Sequence, residues 1–407
     1  MDIINFRIVL KKGKDEAVRR FHPWIFSGAI ANIAPLSKND QKTINDGDLV
    51  QIVDYKYQPL GIGYYNNGSI AVRILTFDIN EKIDATFWQN KLQNALNYRI
   101  SLSLSRLEST TCYRLIHAEG DGLAGLIIDI YGETAVIQCH SIGIHRQIEA
   151  IVKAVKAVFS NTITSIYDKS HETLPPQYIS DFDVKNGYLY GQSATPATVF
   201  ENGNAFAVDW ITGQKTGFFL DQRDNRALIA RYCHGKTVLN AFCYSGGFSI
   251  YALKAGAKSV HSIDISPKAI DLTNQNVALN QPFSGQHHAT TADILTFLKE
   301  NTAIYDVMIV DPPAFAKSMT KRHNAVQAYK RLNAMALRQI TEGGILFTFS
   351  CSQVVDRQLF YDTIVAAAIE AGRKVRVMHH LTQPADHPVN IFHPEGAYLK
   401  GLVLYVE

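Results

Sequence analysis

The first 76 residues contain short runs in which apolar and polar positions alternate. Two such runs are Leu49–Val53 and Ile70–Leu75, and turn signals rich in Asn, Asp and Gly separate them. Successive side chains of a strand point to opposite faces of a sheet, so this pattern is typical of strands with one buried face. The segment is predicted to form a small β-barrel.

Residues 77–195 show a mixed pattern. A helical stretch around Phe87–Leu104 precedes two strand-like runs, Gly125–Asp129 and Ala135–Gln138, and another helix is expected near Ile144–Phe159. Helical and strand periodicities in one segment predict an α+β domain at the centre of the chain.

From about residue 235, buried strands and helices alternate regularly, which is typical of a parallel sheet with helices on both faces. The expected strands are Thr237–Phe242, Ser259–Asp264, His287–Thr291, Tyr305–Asp311, Gly344–Ser350, Lys374–Leu381 and Leu399–Val406. The expected helices are Phe248–Lys254, Pro267–Asn280, Arg322–Thr341 and Arg357–Ala371. The pattern predicts an α/β, Rossmann-like domain over residues 196–407, after domains at 1–76 and 77–195.

Composition supports a globular protein of several domains, because 407 residues exceed the roughly 250–300 that one core serves. No stretch approaches the ~20 apolar residues of a membrane span, so a cytoplasmic protein without a membrane partner is expected. The net charge of +3 permits a polyanionic partner without requiring one. The five cysteines lack the spacing of a zinc site or a disulfide framework, so free thiols and no metal site are expected.

A glycine-rich turn follows the first strand of the C-terminal pattern. Strand Thr237–Phe242 runs directly into Cys243–Gly247, where glycine lets the backbone approach a ligand and present N–H groups to it. The next strand ends in Asp264, at the ~20-residue spacing of a carboxylate that binds a ribose. The turn lacks the G-x-G-x-x-G order of NAD and FAD sites, so S-adenosylmethionine is the expected cofactor. A plain tight turn is the structural alternative.

Asp293 follows a short predicted strand and has two interpretations. It would bond the adenine amino group of the cofactor, or it would cap the next helix. The sequence leaves both open.

The segment Asp311-Pro312-Pro313 ends the next central strand. Proline cannot donate a ladder hydrogen bond, so two in tandem end strand pairing and present rigid carbonyls at the sheet's carboxyl edge. Open α/β sheets bind ligands at this edge. An acid followed by two prolines, after an adenosine site, indicates a methyltransferase that acts on a planar nitrogenous base.

The following strand ends in Ser350-Cys351-Ser352, which places a thiol on the same edge. An isolated cysteine is more often inert packing. At this edge, however, a thiolate that adds to carbon 6 of a pyrimidine would make carbon 5 nucleophilic toward the cofactor's methyl group. The position favours Cys351 as a nucleophile.

These motifs occur together in one known family. The chain resembles, over essentially its whole length, the bacterial large-subunit (23S) ribosomal RNA cytosine-C5 methyltransferases of the methyltransferase I family. The matching stretches are His22–Phe26, His117–Leu123, Gly213–Arg223, Asp311–Phe315, Ser350–Ser352 and Asp386–Pro388. The resemblance implies a PUA barrel, a central α+β domain and a seven-stranded class I methyltransferase domain. It also implies S-adenosylmethionine as cofactor and ribosomal RNA as partner, with a homodimer as one option.

The resemblance also implies roles for individual residues. Cofactor contacts are expected from Phe219, Asp221, Asn240, Phe242, Tyr244, Ser245, Gly246, Asp264, Ile265, Asp293 and Asp311. Substrate contacts are expected from Pro312, Pro313, Phe315, Lys317 and Arg223. Cys351 and Asp311 are expected to be catalytic. Many RNA cytosine methyltransferases have a second cysteine where this chain has Pro313, so Cys351 would act alone.

Two other functions stay open. A purine N-methyltransferase, with guanine-N7 as the nearest version, would use a prolyl carbonyl to accept a base amino hydrogen. Against it, Ala314 separates Pro313 from the aromatic Phe315, and Cys351 would have no part. An RNA-binding protein without activity would not bind the cofactor, and the intact glycines and Asp264 argue against that.

Overall fold

The structure is a computed structural model that describes residues 4–37, 43–105, 108–160, 162–316 and 318–407. Its N-terminal part is a six-stranded sheet with the order β2-β6-β5-β4-β1-β3. The strands are β1 Phe6–Leu10, β2 Trp24–Phe26, β3 Ile30–Pro35, β4 Leu49–Val53, β5 Pro59–Tyr65 and β6 Ile70–Thr76, with a short helix α1 at Glu16–Arg19. Side chains from one face, including Ile8, Ile52 and Val72, form a shared apolar core, as alternation predicts.

The central part is a five-stranded sheet with the order β11-β10-β9-β8-β7. Its strands are β7 Cys112–His117, β8 Leu126–Tyr131, β9 Thr134–Cys139, β10 Ser165–Asp168 and β11 Gly187–Tyr190. Its helices are α2 Ala85–Ser101, α3 Ile142–His145, α4 Ile148–Phe159 and α5 Pro176–Phe182. The carboxylate of Asp84 caps α2 by accepting from the N–H groups of Thr86 and Phe87.

The sequence predicted a single helix near Ile144–Phe159. The structure instead divides this segment into two helices, α3 and α4, so the prediction is wrong in this respect. The N–H of Gln147 bonds the carbonyl of Ile144, a tighter contact than the α-helical one, and the first helix ends there.

The C-terminal part is a seven-stranded sheet with the order β16-β15-β14-β17-β18-β20-β19. A two-stranded ribbon precedes it, with β12 at Ala197–Glu201 and β13 at Asn204–Val208. The sheet strands are β14 Thr237–Ala241, β15 Ser259–Asp264, β16 Gln286–Thr291, β17 Tyr305–Val310, β18 Ile340–Ser350, β19 Val375–Leu381 and β20 Lys400–Val406. The helices are α6 Arg223–Ile229, α7 Gly247–Lys254, α8 Pro267–Leu279, α9 Ile294–Glu300, α10 Arg322–Arg338 and α11 Arg357–Ala371.

Five strands of this sheet, β14 to β18, pair in parallel, as predicted. The last two strands differ, because β20 runs antiparallel to both β18 and β19. This edge arrangement brings the first residue of β20, Lys400, opposite Ser350 at the end of β18.

The chain divides into two compact units. The first contains Met1–Ala197, Val208–Phe218 and Ala385–Gly396, and the second contains Thr198–Ala207, Phe219–Pro384 and Ala397–Glu407. The short segment 385–396, between β19 and β20, therefore belongs with the N-terminal sheets. The predicted domain boundaries near residues 76 and 195 stay predictions. No helix within the described ranges is long and apolar enough to cross a membrane.

Candidate active site

Many of the predicted site residues lie at or directly after the carboxyl ends of four adjacent strands, β15, β14, β17 and β18. The register aligns Ala241 with Val310, and Val310 with Thr348. Neighbouring strands lie about 4.8 Å apart, so the segments that follow these residues share one edge of the sheet. The topology thus brings the glycine-rich turn, Asp311 and Cys351 to the same edge.

The turn after β14 is held in an unusual backbone conformation. Phe242, Tyr244 and Gly246 all have positive φ, at 60°, 46° and 72°. A Cβ atom at Gly246 would lie 2.7 Å from the Thr273 side chain of α8, so glycine is required there. The Thr273 hydroxyl also donates to the carbonyl of Tyr244 at 2.9 Å, and the turn is fixed against α8.

Asp264 links the turn to the end of β15. One carboxylate oxygen accepts from the N–H of Tyr244 and the other from the N–H of Ser266, each at 3.0 Å. Each oxygen keeps a second lone pair, so the carboxylate can still accept from a ribose hydroxyl. Next to it, Ile265 is 68% exposed, which offers an apolar surface to a flat ring.

Asn240 supplies a direct test of whether the turn fits a cofactor. Its side chain is buried, and its amide nitrogen donates to the Ser249 hydroxyl at 2.8 Å. Its amide oxygen is buried and has no hydrogen-bond partner among the described residues. Buried acceptors are rarely left unsatisfied, so a donor group of a bound cofactor would fit at the end of β14. The amino and hydroxyl groups of S-adenosylmethionine are such donors.

The segment before α6 meets the same turn. The ring of Phe219 contacts the ring of Tyr244 edge to face, with centroids 5.0 Å apart. Asp221 is buried and accepts from the Tyr398 hydroxyl at 2.7 Å. Of the two predicted cofactor residues in this segment, Phe219 therefore lies against the turn. Asp221 is buried, and the hydroxyl of Tyr398 orients its carboxylate.

A buried ion pair that the sequence did not predict holds this segment in place. The guanidinium of Arg226 forms two hydrogen bonds of 2.7 Å to the carboxylate of Glu201, and both side chains are almost fully buried. Arg226 also donates to the carbonyl of Phe219 at 3.0 Å. The pair therefore connects the β12–β13 ribbon to the cofactor segment.

Asp311 is half-buried and oriented by a polar chain. Its carboxylate accepts from the side-chain amide of Gln222 at 2.9 Å, and Asn225 donates to Gln222 at 2.6 Å. Of the two prolines that follow, Pro312 is buried and Pro313 is exposed. The carboxylate of Asp311 and the exposed Pro313 therefore both lie at the carboxyl edge of the sheet.

The loop after Pro313 packs back onto the domain. The ring of Phe315 lies 4.7 Å from that of Tyr329 on α10. The carbonyl of Ala316 accepts from the Ser352 hydroxyl at 2.7 Å, which ties the loop after β17 to the loop after β18. This bond holds the loops of Asp311 and Cys351 together.

Cys351 is half-exposed, whereas Cys112, Cys139, Cys233 and Cys243 are buried. All five are free thiols, as predicted. Burial raises the pKa of Cys233 and of Cys243 to about 12 and raises that of Cys139. Among the five thiols, Cys351 is therefore the one that a substrate could reach.

Lys400 is a further supporting residue that the sequence did not predict. Its side chain is 5% exposed, and its ammonium donates to the carbonyls of Ser352 and Val355 at 2.6 and 2.7 Å. Burial lowers its pKa to about 8, while the charge of Cys351 acts in the opposite direction and favours the ammonium. Lys400 thus places a positive charge under the turn that carries the thiol.

We expect Lys400→Met to slow alkylation of Cys351 by iodoacetamide at pH 7.5 by about three- to tenfold. Removal of a nearby positive charge disfavours the thiolate, which is the reacting form. The difference from wild type should shrink above pH 8, where Lys400 loses its proton. Peptide mass spectrometry reads the site of alkylation, with the exposed Lys374→Met as control. Equal alkylation rates would limit Lys400 to a structural role.

We expect Asp264→Ala to weaken S-adenosylmethionine binding about ten- to a hundredfold, because a charge-assisted hydrogen bond contributes ~1.5–3 kcal/mol. Loss of its bond to the N–H of Tyr244 loosens the turn as well. Isothermal titration calorimetry measures the affinity, with the exposed Asp271→Ala as control. Unchanged affinity for Asp264→Ala would remove this carboxylate from the cofactor site.

Two predicted residues lie apart from this group, and a third is not among the described residues. Asp293 caps α9 by accepting from the N–H and hydroxyl of Thr296, the structural one of its two interpretations, and its adenine contact stays a prediction. Arg223 is 3% exposed and lies 3.7 Å from Glu201, inside the domain rather than on its surface. Lys317 lies outside the described residues.

Two family models and several named relatives match this chain. The model of a PUA-like domain matches residues 8–77, and the model of an S-adenosylmethionine-dependent methyltransferase matches residues 140–403. Proteins named ribosomal RNA large subunit methyltransferase I from Shewanella denitrificans and Aeromonas hydrophila are 39% and 38% identical to it. The alignments cover 98% of this chain and 99% and 98% of the relatives. These relatives give no support for a homodimer.

Two solved structures share the fold. A protein from Streptococcus mutans, provisionally assigned as an S-adenosylmethionine-dependent methyltransferase, matches with a TM-score of 0.82 at 23% identity. A methyltransferase structure complexed with SAH matches with a TM-score of 0.83 at 23% identity. Each match covers 99% of this chain and 100% of the other. These structures and the family models confirm the predicted fold class. The methyltransferase family model confirms S-adenosylmethionine as the cofactor.

Proposed function

The chain belongs to the ribosomal RNA large subunit methyltransferase I family, and we propose that it methylates carbon 5 of a cytosine in large-subunit ribosomal RNA. Cys351 would be the covalent nucleophile. The coarser activity, S-adenosylmethionine-dependent methylation of ribosomal RNA, is that of the family. Beyond this activity, we propose which atom is methylated and which residues act on it.

The placement of Cys351 is the single observation that carries the proposal. Its thiol is half-exposed at the carboxyl edge of the sheet, directly after β18, the strand next to the one that Asp311 follows. A nitrogen methyltransferase needs no thiol there, because a ring nitrogen attacks a methyl group with its own lone pair. Carbon 5 of cytosine lacks such a lone pair and needs activation.

The chemistry assigned to Cys351 balances as follows. Its thiolate Sγ forms a bond to carbon 6, and the electrons of the 5,6 double bond make carbon 5 nucleophilic. S-adenosylmethionine, when bound, supplies the electrophilic methyl group that carbon 5 accepts. A base then removes the proton from carbon 5, the double bond re-forms, and the Sγ–C6 bond breaks to release the thiolate.

Asp311 would hold the base during these steps. The exocyclic amino group of cytosine is a hydrogen-bond donor, and carboxylates accept from it. Because Gln222 fixes one carboxylate oxygen at 2.9 Å, the other has a defined direction. The exposed Pro313 and the ring of Phe315 would bound the same face, which is the substrate role predicted for them.

The N-terminal PUA-like domain would supply part of the RNA affinity. Lys12 and Arg20 are exposed beside β1 and α1, and exposed basic groups of this kind contact phosphates. Such contacts release counterions and so weaken with added salt. A ribosomal RNA substrate would imply a cytoplasmic location, because bacteria make ribosomal RNA there.

Nucleoside analysis of the product tests the proposal. Large-subunit ribosomal RNA from a strain without the gene is incubated with the protein and S-adenosylmethionine, digested to nucleosides and analysed by mass spectrometry. We expect 5-methylcytidine to appear only with active protein. A methylated guanosine would establish the purine N-methyltransferase instead, and no cofactor heat in calorimetry would indicate an inactive RNA-binding protein.

A further inference from the structure

Three potential metal ligands meet in the first unit, in a place that the methylation chemistry does not use. His22 precedes β2, while His393 and Glu395 belong to the segment 385–396. One ligand atom from each of the three lies within 4.8 Å of the other two. Nε2 of His22 is 3.5 Å from one oxygen of Glu395, and Nε2 of His393 is 3.8 Å from the other.

The burial of His393 indicates that something is bound between these groups. Its side chain is 3% exposed, yet neither ring nitrogen has a hydrogen-bond partner among the described residues. A buried imidazole normally satisfies at least one nitrogen, because water is no longer there to do so. A metal ion uses such a lone pair without requiring a donor from the protein.

The surroundings orient the ligands as metal sites do. Nδ1 of His22 lies 3.2 Å from both the N–H and the carbonyl of Trp24, which fixes the ring and directs Nε2 toward Glu395. Bonding of the far imidazole nitrogen to the protein is the usual way in which a metal-binding histidine is held. The indole of Trp24 also packs on His393, with centroids 4.3 Å apart, and covers one side of the cluster.

We propose that His22, His393 and Glu395 bind one divalent transition-metal ion, for which zinc is the best match. Two imidazoles and a carboxylate are a preferred zinc set, and ligands about 2.0–2.1 Å from a tetrahedral zinc lie about 3.3 Å from one another. The distances of 3.5 and 3.8 Å end on the two different oxygens of Glu395. With one ligand atom from each residue, the three atoms lie within 4.8 Å of one another and would approach by up to about 1.5 Å to reach that spacing. The fourth position would hold water, because the side chain of Glu395 is 49% exposed to solvent.

The ion would fasten the segment 385–396 to the N-terminal sheet. The two histidines are 371 positions apart in the sequence, since they occupy positions 22 and 393. The carboxylate of Glu119, which accepts from the Trp24 indole at 2.8 Å, adds a second negative charge near the cluster and favours a dication. The proposal is independent of the base that the protein methylates.

Metal titration of the full-length protein tests this site. Protein without a polyhistidine tag is stripped with a chelator and titrated with ZnCl₂ by calorimetry, and with CoCl₂ by visible absorption. We expect one ion per chain with micromolar or tighter affinity, and a midpoint of thermal unfolding that rises by a few degrees with zinc. Glu395→Gln should weaken zinc binding at least about tenfold, and His393→Asn should abolish stoichiometric binding.

His171→Asn is the matched control, because His171 is an exposed histidine of the same unit that also neighbours a glutamate, Glu172. It should bind zinc as wild type does. Because the side chain of Glu395 is half-exposed, the Glu395→Gln variant is expected to fold. It therefore still tests the site if the His393→Asn variant unfolds. The proposal is overturned if wild type binds no stoichiometric metal, or if Glu395→Gln binds it with wild-type affinity.

Discussion

Cys351→Ala should abolish methyl transfer, with a rate at least about a thousandfold below wild type. Without Sγ no bond to carbon 6 can form, and carbon 5 keeps its poor nucleophilicity, which corresponds to at least ~4 kcal/mol of lost barrier reduction. Cofactor affinity should stay within about twofold, because the Gly246 turn and Asp264 lie on other strands. Methyl transfer from labelled S-adenosylmethionine to RNA measures the rate, and calorimetry measures the affinity.

Cys233→Ala provides the control for this change, since Cys233 is a buried thiol of the same unit that lies outside the cofactor turn and has no part in the proposed bond formation. It should retain most of the activity. If Cys351→Ala methylates at a rate near that of wild type, covalent catalysis is excluded and a nitrogen becomes the acceptor.

Glu201→Ala should lower the free energy of unfolding by about 3–5 kcal/mol. The substitution leaves the buried guanidinium of Arg226 without its carboxylate, and an uncompensated buried charge is among the costliest local changes. The hydroxyl of Tyr251, which donates to Glu201 at 3.1 Å, loses a partner as well. Urea unfolding followed by circular dichroism measures the change.

The double variant Glu201→Met with Arg226→Met separates the cause from general disruption of the core. Replacement of both charges of an ion pair by apolar groups is often nearly neutral, so the double variant should recover part of the lost stability. Recovery is partial because the buried Arg223, 3.7 Å from the Glu201 carboxylate, keeps its charge. The exposed Glu300→Ala should leave stability within about 0.5 kcal/mol of wild type. If the double variant is no more stable than Glu201→Ala, the loss does not come from the unpaired charge of Arg226.

Local patterns predicted the strands and the turn of the methyltransferase sheet well. The buried run Thr237–Ala241, the glycine turn and Asp264 are close in sequence, and their geometry follows from backbone rules that act over a few residues. The thiol of Cys351 could be placed at the same edge because parallel strands end together. The roles of these residues in binding and catalysis stay predictions.

The contacts that support the site could not be predicted in the same way. Glu201 and Arg226 lie on separate elements, and Lys400 reaches the turn after β18 only because β20 inserts antiparallel beside it. A lone buried charge in a sequence does not reveal its partner. The most useful signal was Lys400 itself, a lysine at the start of an otherwise apolar strand.

The histidine cluster escaped prediction for a related reason. The expectation of no metal rested on cysteine spacing, and the cluster contains no cysteine. His22 and His393 come together only because the segment 385–396 joins the N-terminal unit. Such a contact between distant parts of the chain leaves no periodic or spaced pattern in the sequence.

Covalent capture of the target base tests the central claim most directly. With RNA that carries 5-fluorocytosine, the fluorine on carbon 5 cannot leave as a proton does, so the Sγ–C6 bond formed by Cys351 should persist after methyl transfer. Wild-type protein with S-adenosylmethionine should give a slow-migrating protein–RNA band on a denaturing gel, and Cys351→Ala should give none. A wild-type protein that methylates unmodified RNA but forms no such band with the fluorinated RNA would contradict the covalent mechanism.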